Sequence, residues 1–175
     1  PLEVETFAER LGAVGYKTGY FGKWHLGGAG FGPTQQGWQT ALETQGHTQP
    51  AAAGRAATQR TAEYLTDRAV AFIESHSTHP FLLQVSHYAV HIPLSTTPEL
   101  EKKFSAKRPQ PGYPSNPVYA GLLAELDASV GRIVAAVDAA GLAENTLILF
   151  LSDNGGIEHE QSGRVVTSNL PLRGE

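Results

Sequence analysis

The sequence predicts an α/β layered fold with a largely parallel central sheet, on three observations. Two short, almost wholly apolar runs, Phe81-Leu82-Leu83-Gln84-Val85 and residues 146–151 (TLILFL), have the composition of strands buried on both faces. Segments whose apolar residues recur at three- and four-residue steps lie between such runs, as amphipathic helices do. Strand-like and helix-like segments also alternate along the chain, the order expected of parallel strands joined by crossover helices.

Each element can be justified in turn. Val4, Phe7, Ala8 and Leu11 fall at helical spacing and predict a short helix over 3–13, with Gly12 and Gly15 placed to stop it. Residues 16–22 follow as a short β-type segment. From 27 to 60 the periodicity disappears and Gly, Ala, Gln and Thr dominate, which predicts a long irregular loop. A helix resumes near Thr61 with Leu65, Ala69, Phe72 and Ile73 on one face, and it ends before Pro80. The strand at 81–85 comes next. Residues 92–117 carry six prolines (Pro93, Pro98, Pro109, Pro111, Pro114, Pro117) and read as a second loop.

Val118, Leu122, Leu126, Val130, Ile133 and Val137 then set out a long helix, with Gly141 suited to a left-handed cap. Gly131 inside it costs about 1 kcal/mol relative to alanine. Close packing of this helix on the sheet is the expected reason. The run at 146–151 reads as a further buried strand, broken by Asn154-Gly155-Gly156.

Composition narrows the function classes. The 175 residues suffice for a single domain with a core; 41% hydrophobic and 17% charged residues describe a soluble globular chain. Net charge is −4, from 17 acidic against 13 basic residues, and no basic stripe offers itself to phosphates, which argues against a nucleic-acid partner. No apolar stretch approaches the roughly 18 residues of a membrane span. Absence of cysteine excludes disulfides and thiolate metal sites from these residues. Absence of methionine, with a start at Pro1 beside a helical pattern and a stop at Glu175, gives the expectation of an incomplete domain, an internal piece of a longer protein.

In parallel α/β sheets ligands gather beyond the carboxyl ends of strands. Each strand-like run here is followed by a polar cluster: Gly22-Lys23-Trp24-His25, then His87-Tyr88-Ala89-Val90-His91, then Ser152-Asp153-Asn154. On an extended segment residues two apart point the same way, so Lys23 and His25 could face one anion. The plainer reading is a solvated strand end. His91 precedes Ile92-Pro93, whose proline stiffens the backbone after the imidazole and suits a side chain held for proton transfer. An ordinary polar histidine fits as well, and His87 fits a supporting place behind it. His47, His76, His79 and His159 read as ordinary loop or helix-end residues. Asp153 and Asn154 offer a carboxylate and an amide oxygen, hard ligands for Ca²⁺ or, with less reason, Mg²⁺. Asn-Gly is equally a common tight-turn pair.

These residues carry a family resemblance. The stretch from Gly15 through Tyr20-Phe21-Gly22-Lys23-Trp24-His25-Leu26-Gly27 resembles the second signature of the type I, formylglycine-dependent sulfatases, arylsulfatase-like members of the alkaline phosphatase superfamily. Tyr88-Ala89-Val90-His91-Ile92-Pro93-Leu94 is similar to their central histidine motif. Leu126-Asp127, Val130-Gly131-Arg132 and Leu151-Ser152-Asp153-Asn154-Gly155-Gly156 resemble their helix and metal-binding strand. Asn169-Leu170-Pro171-Leu172-Arg173-Gly174 looks like the approach to their last active-site lysine, and Tyr64-Leu65-Thr66-Asp67-Arg68 also fits.

The resemblance implies an alkaline-phosphatase-like fold and hydrolysis of a small-molecule or carbohydrate sulfate ester. It implies that Lys23 binds the sulfate, that His25 acts as a base in releasing it, and that His91 contacts the sulfate and protonates the leaving alcohol. Asp153 and Asn154 would bind Ca²⁺. A periplasmic or secreted location is also implied. The Cys/Ser-x-Pro-x-Arg motif that yields the formylglycine nucleophile is not among the 175 residues, nor is the aspartate pair that completes the calcium site. Both are expected in a longer parent protein. A phosphodiesterase or phosphonate hydrolase of the same superfamily and a non-catalytic binder of sulfated sugars remain as alternatives.

Overall fold

The computed structural model describes residues 2–50 and 58–172. These fall into two compact units, one of Pro1–Ala89 with Leu126–Thr146, the other of Val90–Glu125 with Leu147–Glu175.

The first unit begins with helix α1, Phe7–Ala13. Thr6 caps it: its hydroxyl accepts from Glu9 N at 3.1 Å while the Glu9 carboxylate accepts from Thr6 N at 2.7 Å, a reciprocal capping box. Strand β1, Lys17–Gly22, follows. After a 3-10 turn at Pro33–Gln36 come β2, Thr40–Glu43, and the short strands β3, Thr48–Gln49, and β4, Gln59–Arg60. Helix α2, Thr61–Ser75, leads to β5, Phe81–Ser86. Strands β2, β1 and β5 form a parallel sheet in that order, with Gly19 opposite both Thr40 and Leu83, and Gly22 opposite both Glu43 and Ser86.

Strand β1 is buried along nearly its whole length because both of its faces are covered. On one face Phe21 packs with Leu65, Ala69 and Phe72 of α2, joined by Leu42, Phe81, Leu83, Val85 and Ile133. Gly19 lies under the Phe72 ring, where a Cβ would come within 2.7 Å of it. On the other face Tyr20 packs with Ala8 and Trp38, flanked by Trp24 and Leu82. This two-sided cover is what makes β5 read as a continuous apolar run rather than an alternating one. β3 and β4 pair antiparallel, with Thr48 opposite Arg60 and Gln49 opposite Gln59.

The second unit contains helix α3, Pro98–Ser105, the first turns of helix α4, Pro117–Ala139, and the ladder of β6, Glu160–Gln161, with β7, Arg164–Val165. Asn116 starts α4, its side-chain oxygen accepting from Tyr119 N at 3.2 Å. Residues 126–139 of α4 belong to the first unit. Within the second unit Thr96 donates to the Glu125 carboxylate at 2.7 Å. Asn169 clasps Gly156, accepting from its N–H at 2.8 Å and donating to its carbonyl at 2.7 Å.

The fold is the α/β, alkaline-phosphatase-like arrangement with a parallel sheet, and four parts of it differ from the sequence reading. The loop expected over 27–60 contains β2 and the β3–β4 pair, with residues 51–57 outside the described residues. β2 is only four residues long and lacks an apolar run, so its pairing with β1 left no pattern. The loop expected over 92–117 contains α3, because Thr97 and Pro98 are an N-cap and a first-turn proline rather than breakers. Residues 146–151 form no strand among the described residues, and Leu147, Leu149 and Leu151 are 83%, 71% and 82% exposed. An apolar run sets a preference for burial; only a hydrogen-bonded neighbour makes it a strand. Finally, a Cβ at Gly131 would meet no atom within 4 Å, so close packing does not explain that glycine. Gly141, by contrast, has φ 72° and takes the left-handed cap position.

Candidate functional site

In the first unit the site-bearing segment leaves the end of β1. Gly22 has φ 130°, and a Cβ there would lie 2.0 Å from the Ser86 carbonyl oxygen. Only glycine brings the two strand ends this close. The closeness lets Lys23 N donate to Ser86 O at 2.9 Å, while Thr44 N donates to Gly22 O at 2.9 Å. The Tyr20 hydroxyl donates to the Lys23 carbonyl. Burial pushes the Tyr20 phenol up from its usual range, so it stays a proton donor at neutral pH. Trp24 is held by an edge-on contact with Tyr20, ring centroids 5.0 Å apart, and by a 2.9 Å bond from its indole N–H to Phe31 O. The backbone at Lys23 is therefore fixed from three sides.

Lys23 and His25 occupy different surroundings. Lys23 is half-buried, with its ammonium 5.5 Å from the centroid of the Tyr88 ring; His25 is exposed. Tyr88 is 7% exposed and meets the His47 ring edge-on at 4.9 Å. Tyr88 opens the histidine motif of the sequence but carries no role there, and His47 reads as an ordinary loop residue. Beside Trp24 a cleft of about 340 Å³ is lined by Glu43, Thr44, Gln45 and Gln49, among others.

His87 forms one end of a buried hydroxyl chain. Its Nε2 lies 3.1 Å from Ser129 Oγ, Ser129 Oγ lies 2.5 Å from Thr66 Oγ1, and Thr66 donates to Ala62 O at 2.6 Å. Since Thr66 gives its proton to Ala62, Ser129 donates to Thr66 and His87 Nε2–H donates to Ser129, which assigns the tautomer. Nδ1 is then a bare acceptor, buried and without a hydrogen-bond partner. Burial lowers the His87 pKa to about 4, so the ring is neutral at physiological pH.

The other sequence-identified residues lie in the second unit. His91 is exposed, and its Nδ1–H donates to Ile92 O at 2.5 Å. Asp153 and Asn154 are exposed too. Asn154 is engaged in its own turn: Ser152 Oγ donates to its carbonyl at 2.5 Å, and its side-chain N–H donates to Gly155 O at 2.9 Å. The Asp153 carboxylate and the Asn154 amide oxygen fit the donor chemistry of Ca²⁺, but such an ion takes about six to eight oxygens. No group of three or more His, Cys, Asp or Glu suited to a metal ion occurs among the described residues. No helix among them is long and apolar enough to cross a membrane.

The chain is similar to several known proteins. The family model described as Sulfatase matches residues 1–175. A protein named Sulfatase from Formosa agariphila is 34% identical over 119 residues, covering 62% of this chain and 20% of that protein. Arylsulfatase G of Rattus norvegicus is 31% identical over 201 residues, covering 89% of this chain and 36% of that protein. The crystal structure of Ps i-CgsB in complex with k-i-k-neocarrahexaose matches with a TM-score of 0.82 at 25% identity, over 100% of this chain and 44% of that one. The chain thus spans less than half the length of each of these relatives.

Proposed function

The chain belongs to the sulfatase family, and from that premise we propose that the protein carrying it hydrolyses sulfate esters of aryl or carbohydrate alcohols. One observation carries the reading: Lys23-Trp24-His25 leaves the end of a buried parallel strand on a rigidly held backbone, in a chain matched throughout by the sulfatase model. A sulfate ester resists attack until its non-bridging oxygens are held by cationic groups and its leaving oxygen is offered a proton. Lys23 supplies an ammonium on a fixed backbone for the first need. His91 supplies an imidazole that contacts the sulfate and gives a proton to the departing oxygen, and His25 acts as a base when sulfate is released.

Asp153 and Asn154 contribute two oxygen ligands to Ca²⁺, with the remaining ligands from residues outside this chain. Such an ion, held there, would supply positive charge to offset the negative charge of the sulfate. The nucleophile, a formylglycine, likewise comes from outside these 175 residues. The carbohydrate in the Ps i-CgsB complex favours a sugar sulfate over a simple aryl ester as the natural substrate.

The test is sulfate release by the full-length protein from aryl and sugar sulfates, with phosphodiesters as the comparison. Lys23→Ala is expected to keep the metal and lower kcat/KM by roughly 10²–10³-fold, the range for removing one transition-state charge partner. Asp153→Ala is expected to lose calcium and activity together, since water cannot replace a charged ligand. Turnover of phosphodiesters in preference to sulfate esters, or unchanged calcium in folded Asp153→Ala, overturns the assignment.

A further inference from the structure

A lysine fixed only at its backbone does not present its charge in one place, because its four-carbon stem carries about 2 kcal/mol of rotamer entropy. Something must hold the Lys23 ammonium if it is to meet a single anion. None of the ion pairs among the described residues involves Lys23. What the ammonium does meet is the Tyr88 ring, 5.5 Å from nitrogen to centroid, within the roughly 6 Å reach of a cation–π contact.

The meeting is built into the sheet. β1 and β5 run parallel and end in register at Gly22 and Ser86, so Lys23 and Tyr88 leave adjacent strands at the same edge. Tyr88 is itself held firmly. Its ring is nearly fully buried and braced by the edge of His47. Its neighbour His87 is tied through Ser129 to Thr66, which fixes the chain just before it against α2 and α4.

We propose that Tyr88 is the positioning residue for Lys23, its ring face orienting the ammonium toward a bound anion without neutralising it. A carboxylate in the same place would orient the lysine too, but would cancel the charge that the anion needs. An aromatic face attracts the cation through its quadrupole and leaves the formal charge whole. The inference rests on the reading of Lys23 as a sulfate-binding group, while its geometric half can be tested without that reading.

The experiment uses the full-length protein with lysines methylated by ¹³C-formaldehyde, the Lys23 signal being assigned with Lys23→Arg. Ring current is expected to displace the Lys23 methyl signal upfield, the displacement vanishing in Tyr88→Leu and surviving in Tyr88→Phe. Lys103 and Lys107 sit 5.4 and 5.1 Å from the Phe104 ring, and their signals, unchanged in the variants, report the region of α3 intact, while circular dichroism and a thermal melt report the rest of the fold. In unmodified protein, kcat/KM for a sulfate ester is expected to fall about tenfold in Tyr88→Leu, the scale of a lost cation–π contact, and to recover in Tyr88→Phe. A wild-type Lys23 signal with no upfield displacement overturns the proposal, and does so even if Tyr88→Leu does not fold. So does a displacement that survives Tyr88→Leu, or a kcat/KM that is unchanged when it is lost. A displaced signal in a protein that turns over no sulfate ester supports the Tyr88–Lys23 geometry and overturns the sulfatase reading instead.

Discussion

His91 is the residue whose proposed role makes the sharpest demand on chemistry. If it protonates the leaving oxygen, its importance depends on how much that oxygen needs a proton. A nitrophenolate departs with little help, whereas a sugar or alkyl alkoxide departs poorly at neutral pH. Loss of a positioned general acid typically costs about 10²–10⁴-fold. His91→Ala in the full-length protein is therefore expected to slow alkyl and sugar sulfates far more than activated aryl sulfates, steepening the plot of log kcat/KM against leaving-group pKa. Parallel plots for wild type and variant would leave His91 with a sulfate-gripping role alone. His87 gives the contrasting case of a histidine that stays neutral. Its pKa near 4 in the fold lies below the ordinary 6.5, so the unfolded chain takes up the proton first. Stability is thus unaffected by this group above about pH 6.5 and declines as pH falls from there toward 4. The expected signature is a His87 ring signal in NMR that barely moves between pH 8 and 5.5; a midpoint near 6.5 would mean that the ring is not buried as described. The sequence separates these two histidines only by the Ile92-Pro93 that follows His91; that His87 is held neutral in a buried hydroxyl chain depends on Ser129 and Thr66, distant in the chain.

At the scale of elements, the site depends on a backbone approach that only one residue permits. Gly22 ends β1 at φ 130° with the Ser86 carbonyl where a Cβ would go. Gly22→Ala must therefore part the ends of β1 and β5 and break the Lys23 N to Ser86 O bond. Mainly through strain of about 1–3 kcal/mol, it is expected to lower the melting temperature and to cost activity, whereas Gly131→Ala, with open space around it, is expected to be neutral or stabilising. Equal effects of the two substitutions would reject this account. The strong elements were legible because their signals are local: α2 shows its buried Leu65, Ala69, Phe72 and Ile73 at helical spacing, and β5 shows an apolar run. Lys23 and His25 could be singled out because they directly follow β1, whereas Asp153 and Asn154 were singled out behind a run at 146–151 that forms no strand among the described residues. What sequence could not show depends on partners distant in the chain. β2 exists through its pairing with β1, α3 begins at a Thr97-Pro98 pair easily taken for a break, and Tyr88 gains its meaning from Lys23, 65 positions earlier.

For the whole molecule, the residues at 147–151 are the decisive feature. Leu147, Ile148, Leu149, Phe150 and Leu151 are 83%, 49%, 71%, 69% and 82% exposed, in a stretch with no charge and no proline. Such a run, rich in β-forming residues and unpaired, is a template for pairing with another chain. The relatives matched by this chain are more than twice its length, so the run is expected to be covered by a strand or helix in a protein of that length. The 175-residue chain by itself is accordingly expected to self-associate with rising concentration, to bind a hydrophobic dye, and to turn over no sulfate ester. Leu149→Lys with Leu151→Lys is expected to suppress the association while leaving the helical circular dichroism of the chain intact. The same pair in the full-length protein is expected to act in the opposite sense, because there the charges would be forced under a covering strand or helix. Burying even one unpaired lysine is costly, so a loss of at least several degrees in Tm is expected. Sedimentation of the isolated chain and thermal melts of the full-length protein measure the two effects. A monomeric chain with a sharp, reversible melt, or a full-length protein indifferent to both lysines, would mean that the run at 147–151 is a surface in its own right and not a strand awaiting its sheet.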